Sequence, residues 1–341
     1  MKAVCTLAIL FVVLASIGNA QSNAGYHIVK KTLIGGEGGW DYLLVDAQAR
    51  CLYVSHGDRV VVLNADSVNV VGEISKTQGV HGIALAPELG RGFTSNGRTS
   101  TVTIFDMKTL KVIKEVPVNG KNPDAILYDP FSKKLFTFNG RSSDASVLDP
   151  STGDTIAAIP MGGKPEFAVT DLKGLIYVNN EDKSEINVVD TKTLKVISHW
   201  SLAPGESPSG LAFDIKNHRL FSVCSNKLMV VMDSENGKVI ATVPIGSGVD
   251  ACAYDPETNM LFASNGEGTM TVIHQESPDK YSVIETVATQ RGARTMALDL
   301  KTHAVFTPSA EYGATPPPTA ERPRPRPAIV PNSFVVLQLQ K

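Results

Sequence analysis

Residues 82–118 hold four short runs, GIALAP at 82–87, GFTS at 92–95, TVTIFD at 101–106 and KVIKEVPV at 111–118. Turn formers separate them, Pro87-Glu88-Leu89-Gly90 and Ser95-Asn96-Gly97 among others. Runs this short, rich in Val, Ile, Phe and Thr, read as strands. A helical repeat would need stretches of ten or more residues with apolar positions three and four apart, and none occurs here.

The same phrase recurs along the chain. Its second landmark is an acidic turn followed by an apolar run: Asp46 before CLYVS, Asp129-Pro130 before KLFTF, Asp171 before LIYVN, Asp214 before RLFSV, Asp255-Pro256 before MLFAS and Asp299 before AVFTP. Ala86-Pro87 before RGFTS is the one copy without the carboxylate. The copies open at Asp41, His81, Asp124, Glu166, Ser209, Asp250 and Arg294, at intervals of 40, 43, 42, 43, 41 and 44 residues. Seven repeats of this period, each carrying four strands, predict an all-β, seven-bladed β-propeller.

The seventh copy supplies strands near 295–299 and 304–307 and another at 333–339, one short of four. The missing strand matches YHIVKKTLI at 26–34, which resembles the fourth-strand phrase of other copies. The N-terminal strand is therefore expected to complete the last blade and remove the free edges of an open ring. The acidic landmark has the chemistry of a turn, because an Asp carboxylate accepts from backbone N–H groups two residues on.

At 341 residues the closed repeat predicts one domain over 21–341. Residues 1–20 read as a signal peptide: Lys2 precedes an apolar run from Ala3 to Ile17, and Gly18-Asn19-Ala20 offers a cleavage site. The run is shorter than the roughly 20 residues that span a bilayer, so the mature protein is expected to carry no membrane span and to be periplasmic or secreted. Cys51, Cys224 and Cys252 remain after cleavage; Cys224 and Cys252 either meet at adjacent blades or stay as buried free thiols. With no CxxC or CxxCH, no haem attachment is expected. A formal net charge of −2 argues against a dedicated nucleic-acid binder.

Tyr53-Val54-Ser55-His56 and Tyr177-Val178-Asn179-Asn180, with INVVD ending at Asp190 and MVVMD ending at Asp233, resemble the YVTN-repeat propellers of the YncE-like group. The resemblance covers residues 26–341. It implies an exported seven-bladed propeller, mostly without an established reaction, and DNA binding for some members.

Propellers bind ligands where inner strands begin around the central channel. Asp41, His81, Asp124, Glu166, Ser209, Asp250 and Arg294 are therefore expected to face one another at its mouth, and their varied chemistry is not that of a packing column. Loops after the second strands add His56, Asn96, Asn139, Asn179, Asn265 and Glu311. Three readings follow. The mouth binds a small molecule or a protein partner, carboxylates attracting cationic or polyhydroxylated groups. Alternatively Asp41, Asp124, Glu166, Asp250 and His81 hold Ca²⁺ or Mg²⁺ and act as a lactonase-like hydrolase. The third is nucleic-acid binding, which the acidic ring disfavours. A monomer is expected.

Residues 312–332 interrupt the last blade with the Pro- and Arg-rich run ATPPPTAERPRPRPAIVP. Alternating Arg-Pro units favour an extended chain. It is either a solvated tether or an arm that sets Arg322, Arg324 and Arg326 opposite the acidic ring.

Overall fold

The computed structural model describes residues 25–319 and 325–341; the signal-peptide expectation, and Arg322 and Arg324, lie outside the described residues. These form seven antiparallel four-stranded sheets arranged as a propeller. Blade 1 runs from the channel outward through Leu43–Asp46, Cys51–His56, Arg59–Asn64 and Val70–Ser75. The inner strands of blades 2 to 7 are Val80–Ala86, Pro123–Asp129, Pro165–Thr170, Pro208–Asp214, Val249–Asp255 and Ala297–Asp299.

Second and third strands are buried along nearly their whole length, because both faces of each blade are covered by its neighbours. Such strands carry continuous apolar runs and not an alternating pattern. Outer strands show water one face, leaving Val71, Ile113 and Ile197 exposed. The core is accordingly divided among blade interfaces. One cluster joins Val54 and Leu63 of blade 1 to Phe306 and Val336 of blade 7.

The ring closes as the sequence predicts. His27–Leu33 pairs antiparallel with Val335–Gln340, from His27 opposite Gln340 to Leu33 opposite Val335, and forms the outer strand of blade 7. Just before it, Tyr26 packs edge-on against Phe262 of blade 6 at 5.1 Å, and its N–H donates to Glu285 Oε2 at 2.9 Å.

The Asp column makes its turns: Asp46 Oδ1 accepts from the N–H groups of Gln48 and Ala49 at 3.0 and 2.8 Å, and Asp171 Oδ1 from Lys173 at 2.7 Å. It also ties blades together, a role the sequence did not reveal. Thr170 Oγ1 donates to Asp129 Oδ1 at 2.8 Å, Gln275 Nε2 to Asp214 Oδ2 at 3.0 Å, and His303 Nδ1 lies 2.7 Å from Asp255 Oδ2. At the closing seam Arg50 grips the fully buried Asp299 with two nitrogens, at 3.0 and 2.6 Å. Such a fork is geometrically specific and strong when shielded from water.

Two outcomes follow. Arg50→Ala leaves a buried carboxylate without its cation and is expected to cost about 3 kcal/mol in denaturant unfolding. Deleting residues 25–34 reopens the ring and is expected to lower the melting temperature of the whole propeller by on the order of 10 °C; calorimetry should still show one transition, whereas loss of blade 7 alone would give two.

Candidate binding site at the channel mouth

Five of the seven residues that open the copies meet one another in charged contacts. Asp250 Oδ2 accepts from Arg294 Nε at 2.7 Å, Arg294 Nη2 lies 3.8 Å from Asp41 Oδ1, and Asp41 Oδ2 is 2.6 Å from His81 Nδ1. His81 Nδ1 is also 3.6 Å from Asp124 Oδ1. This chain of charges crosses blades 6, 7, 1, 2 and 3. In blade 4, Glu166 Oε1 lies 2.6 Å from Lys164 Nζ, which also pairs with Glu181. Ser209 stands apart, its Oγ donating to the Val249 carbonyl at 3.3 Å, a blade-to-blade contact.

Crowding of carboxyls in a partly dehydrated mouth shifts their protonation. Burial raises Asp124 to about 7, with Asp41 and Asp250 adding to the shift and His81 opposing it. Burial likewise raises Glu166 to about 8, assisted by the charge of Asp124, and Asp250 to about 6, assisted by Asp41. Burial works to lower His81, but the hydrogen bond to Asp41 and the charges of Asp124, Asp41 and Glu166 outweigh it and bring it up to about 9. At neutral pH the imidazole is thus a cation clamped between two carboxyls.

The loop candidates divide. Asn96, Asn139 and Asn265 were expected at the mouth; all three are fully buried, and their amide nitrogens donate within their own blades. Asn96 Nδ2 donates to Thr101 and Thr103 Oγ1, Asn139 Nδ2 to Asp144 Oδ1 and Ser146 Oγ, and Asn265 Nδ2 to Thr269 and Thr271 Oγ1. Each clamps the second strand to the third where the hairpin turns. Asn179 Nδ2 reaches the next blade, at the carbonyls of Ser209 and Gly210. His56 is buried and stacks on Phe334 at 3.9 Å, with Nδ1 facing the Gly39 carbonyl; burial and Arg59 hold its pKa below the ordinary imidazole range. Glu311 is exposed at the base of the insertion, its N–H donating to Ser333 Oγ at 2.9 Å.

The insertion begins as a hairpin, with Tyr312 bridged to Ile329. Tyr312 lies 6.4 Å from Trp40 and under Arg291, 5.6 Å away, while Arg294 sits over Trp40 at 5.9 Å. The charge of Arg326 acts on Tyr312 together with those of Arg294 and Arg291. Its base therefore stands at the rim of the mouth.

Sequence reasoning missed the floor. Tyr42 leaves blade 1, crosses the channel and joins the apolar cluster of blades 3 and 4, its ring 5.3 Å from Phe167. Its hydroxyl donates to Glu166 Oε2 at 3.4 Å, and burial among carboxylates drives its pKa far up, so it stays protonated. The signal was present: at this second position the other copies carry Gly82, Ala125, Phe167, Gly210, Ala251 and Thr295, so Tyr42 and Phe167 are the two bulky exceptions. Lys164 was also missed as a partner of the ring.

No family model and no curated protein matches this sequence. Solved structures do match in shape. A chain of Kuenenia stuttgartiensis hydrazine synthase is similar with a TM-score of 0.70 at 15% identity, over 81% of this chain and 92% of that one. A chain of a mitotic checkpoint complex is similar with a TM-score of 0.73 at 12% identity, over 89% and 95%. Identities this low show the propeller fold alone.

The shifts set a pH dependence. Asp124, Glu166, Asp250 and His81 all hold their protons more tightly folded than unfolded, so the folded state carries extra protons across neutrality. The associated stability is complete only below the ordinary carboxyl values of 3.8 and 4.5, and it is lost progressively from there as pH rises to about 9, where His81 gives up its proton. The melting temperature is expected to fall by on the order of 5 °C over that window. Asp124→Asn with Glu166→Gln should flatten the slope; a wild-type profile that is level or rising there contradicts the assignment.

Proposed function

We propose that this protein is an exported binding module of the YVTN-repeat, YncE-like kind, and that its channel mouth takes up a cationic group of a small molecule or protein partner. The observation that carries this reading is the imbalance at the mouth. Asp41, Asp124, Glu166, Asp250 and Glu181 face three basic groups, His81, Arg294 and Lys164, and three of the carboxyls hold protons at unusually high pH. Burial first, and neighbouring carboxylates second, raise these pKa values, and a cation that brings its charge among the carboxyls can replace their protons. An ammonium or guanidinium group fits, donating to several carboxylates at once. Tyr42 reaches from blade 1 to Glu166 and Phe167 of blade 4 beneath these carboxylates. Export is supported by the sequence of residues 1–20, and the YVTN-like reading by the repeat phrases.

A second reading has one observation in its favour. Asp41, His81 and Asp124 each offer a ligand atom, all within 4.8 Å of one another, a spacing that a divalent cation could bridge in a lactonase-like hydrolase. Yet His81 holds its proton up to about 9, so a metal must first expel it. Phosphate, and with it nucleic acid, gains nothing from this acidic surface.

Calorimetric titration separates the readings. Agmatine, putrescine and a Lys/Arg-rich peptide are expected to bind at pH 8, to weaken at least tenfold at pH 5, and to lose about tenfold affinity in Asp124→Ala. Stoichiometric Ca²⁺ or Mg²⁺ binding, coupled to ester or lactone turnover that His81→Ala abolishes, would replace this reading with the enzyme. No binding of any cation would overturn both.

A further inference from the structure

Beneath Tyr42 the inner strands change character within two residues. The layer of carboxylates gives way to a chamber of 630 Å³ walled by Leu44, Leu85, Leu127 and Val169, with the Phe167 ring at its upper end. These apolar side chains are only half-buried although they lie in the middle of the molecule. Its wall comes from blades 1 to 4 alone, which makes it a shaped pocket to one side of the axis and not a pore drawn equally from every blade.

Three features define what it would hold. Its volume falls within the range of small-molecule sites, and apolar walls left facing water are a standing cost that an apolar guest removes. No Lys, Arg or His among the described residues lines it, and its one carboxylate, Asp46, already accepts the N–H groups of its own turn, so the chamber offers no partner to an anionic head group. Its ceiling is the Tyr42 ring, whose hydroxyl is turned to Glu166 in the mouth, so the carboxylates do not reach into it. Entry is from the opposite face, where the exposed Gln48 and Pro87 form part of the lining.

We infer that the chamber is a second binding site, separate from the mouth, for an uncharged and largely apolar small molecule entering from the face of the inner-strand turns. It does not depend on the mouth's function, since none of the mouth's charged residues lines the chamber.

The test is fluorescence titration of the full mature protein with N-phenyl-1-naphthylamine, a neutral apolar probe. Saturable binding of one probe per chain is expected, with blue-shifted emission. Val169→Trp and Leu85→Trp each fill the chamber from a different blade; each should weaken binding at least tenfold while the melting temperature stays within a few degrees of wild type. Two such variants are used so that misfolding of one leaves the other to decide. Asp124→Ala, at the mouth, should leave the affinity unchanged. An absence of saturable binding, affinity retained in a folded chamber-filling variant, or loss of binding in Asp124→Ala would each overturn the inference.

Discussion

Pairing of His27–Leu33 with Val335–Gln340 is the contact on which the ring depends. A blade cannot bury its faces alone; it needs a neighbour on each side, and the seventh blade becomes a complete neighbour only when its outer strand arrives from the other end of the chain. The Arg50–Asp299 fork fastens the same seam from below, where blade 7 meets blade 1. Both devices join the start of the chain to its last copy, across the break inside blade 7 between its third and outer strands.

Closure also organises the mouth. Trp40 and Asp41 follow directly on the link from the closing strand, and Arg294 of blade 7 reaches across to both, donating to the Trp40 carbonyl at 2.9 Å while its guanidinium lies over the indole. The charge chain from Asp250 to Asp124 thus spans the seam, and the acidic surface exists only in the closed ring. Tyr42, next in sequence, then stands between the carboxylates and the apolar chamber of blades 1 to 4.

The architecture was legible because it is written seven times: a period near 42, four short runs and an acidic turn leave few alternatives, and the missing fourth strand of the last copy pointed to residues 26–34. The opening column was legible too, since residues that differ between otherwise similar copies are not packing residues, and all but Ser209 turned out to be charge partners. What misled was the Asn at the end of the second strand. Its recurrence at 96, 139 and 265 was itself the mark of a structural clamp, by the same logic that set the Asp column aside. Partners across the channel, such as Tyr42 with Phe167, cannot be read from period or spacing, because they join residues of blades 1 and 4 that no local pattern relates.

The pairing of residue 27 with residue 340 has a consequence in time. A loop embracing the whole propeller can close only after all seven copies have been made, because its second partner lies in the last of them. The entropic penalty of so long a loop rises only as the logarithm of its length, so lateness and not improbability is what it imposes. Until then the strand at 335–340 has an unsatisfied edge and six blades wait as an open arc. Until the two strands meet, such a polypeptide stays incompletely folded however complete its first six blades are.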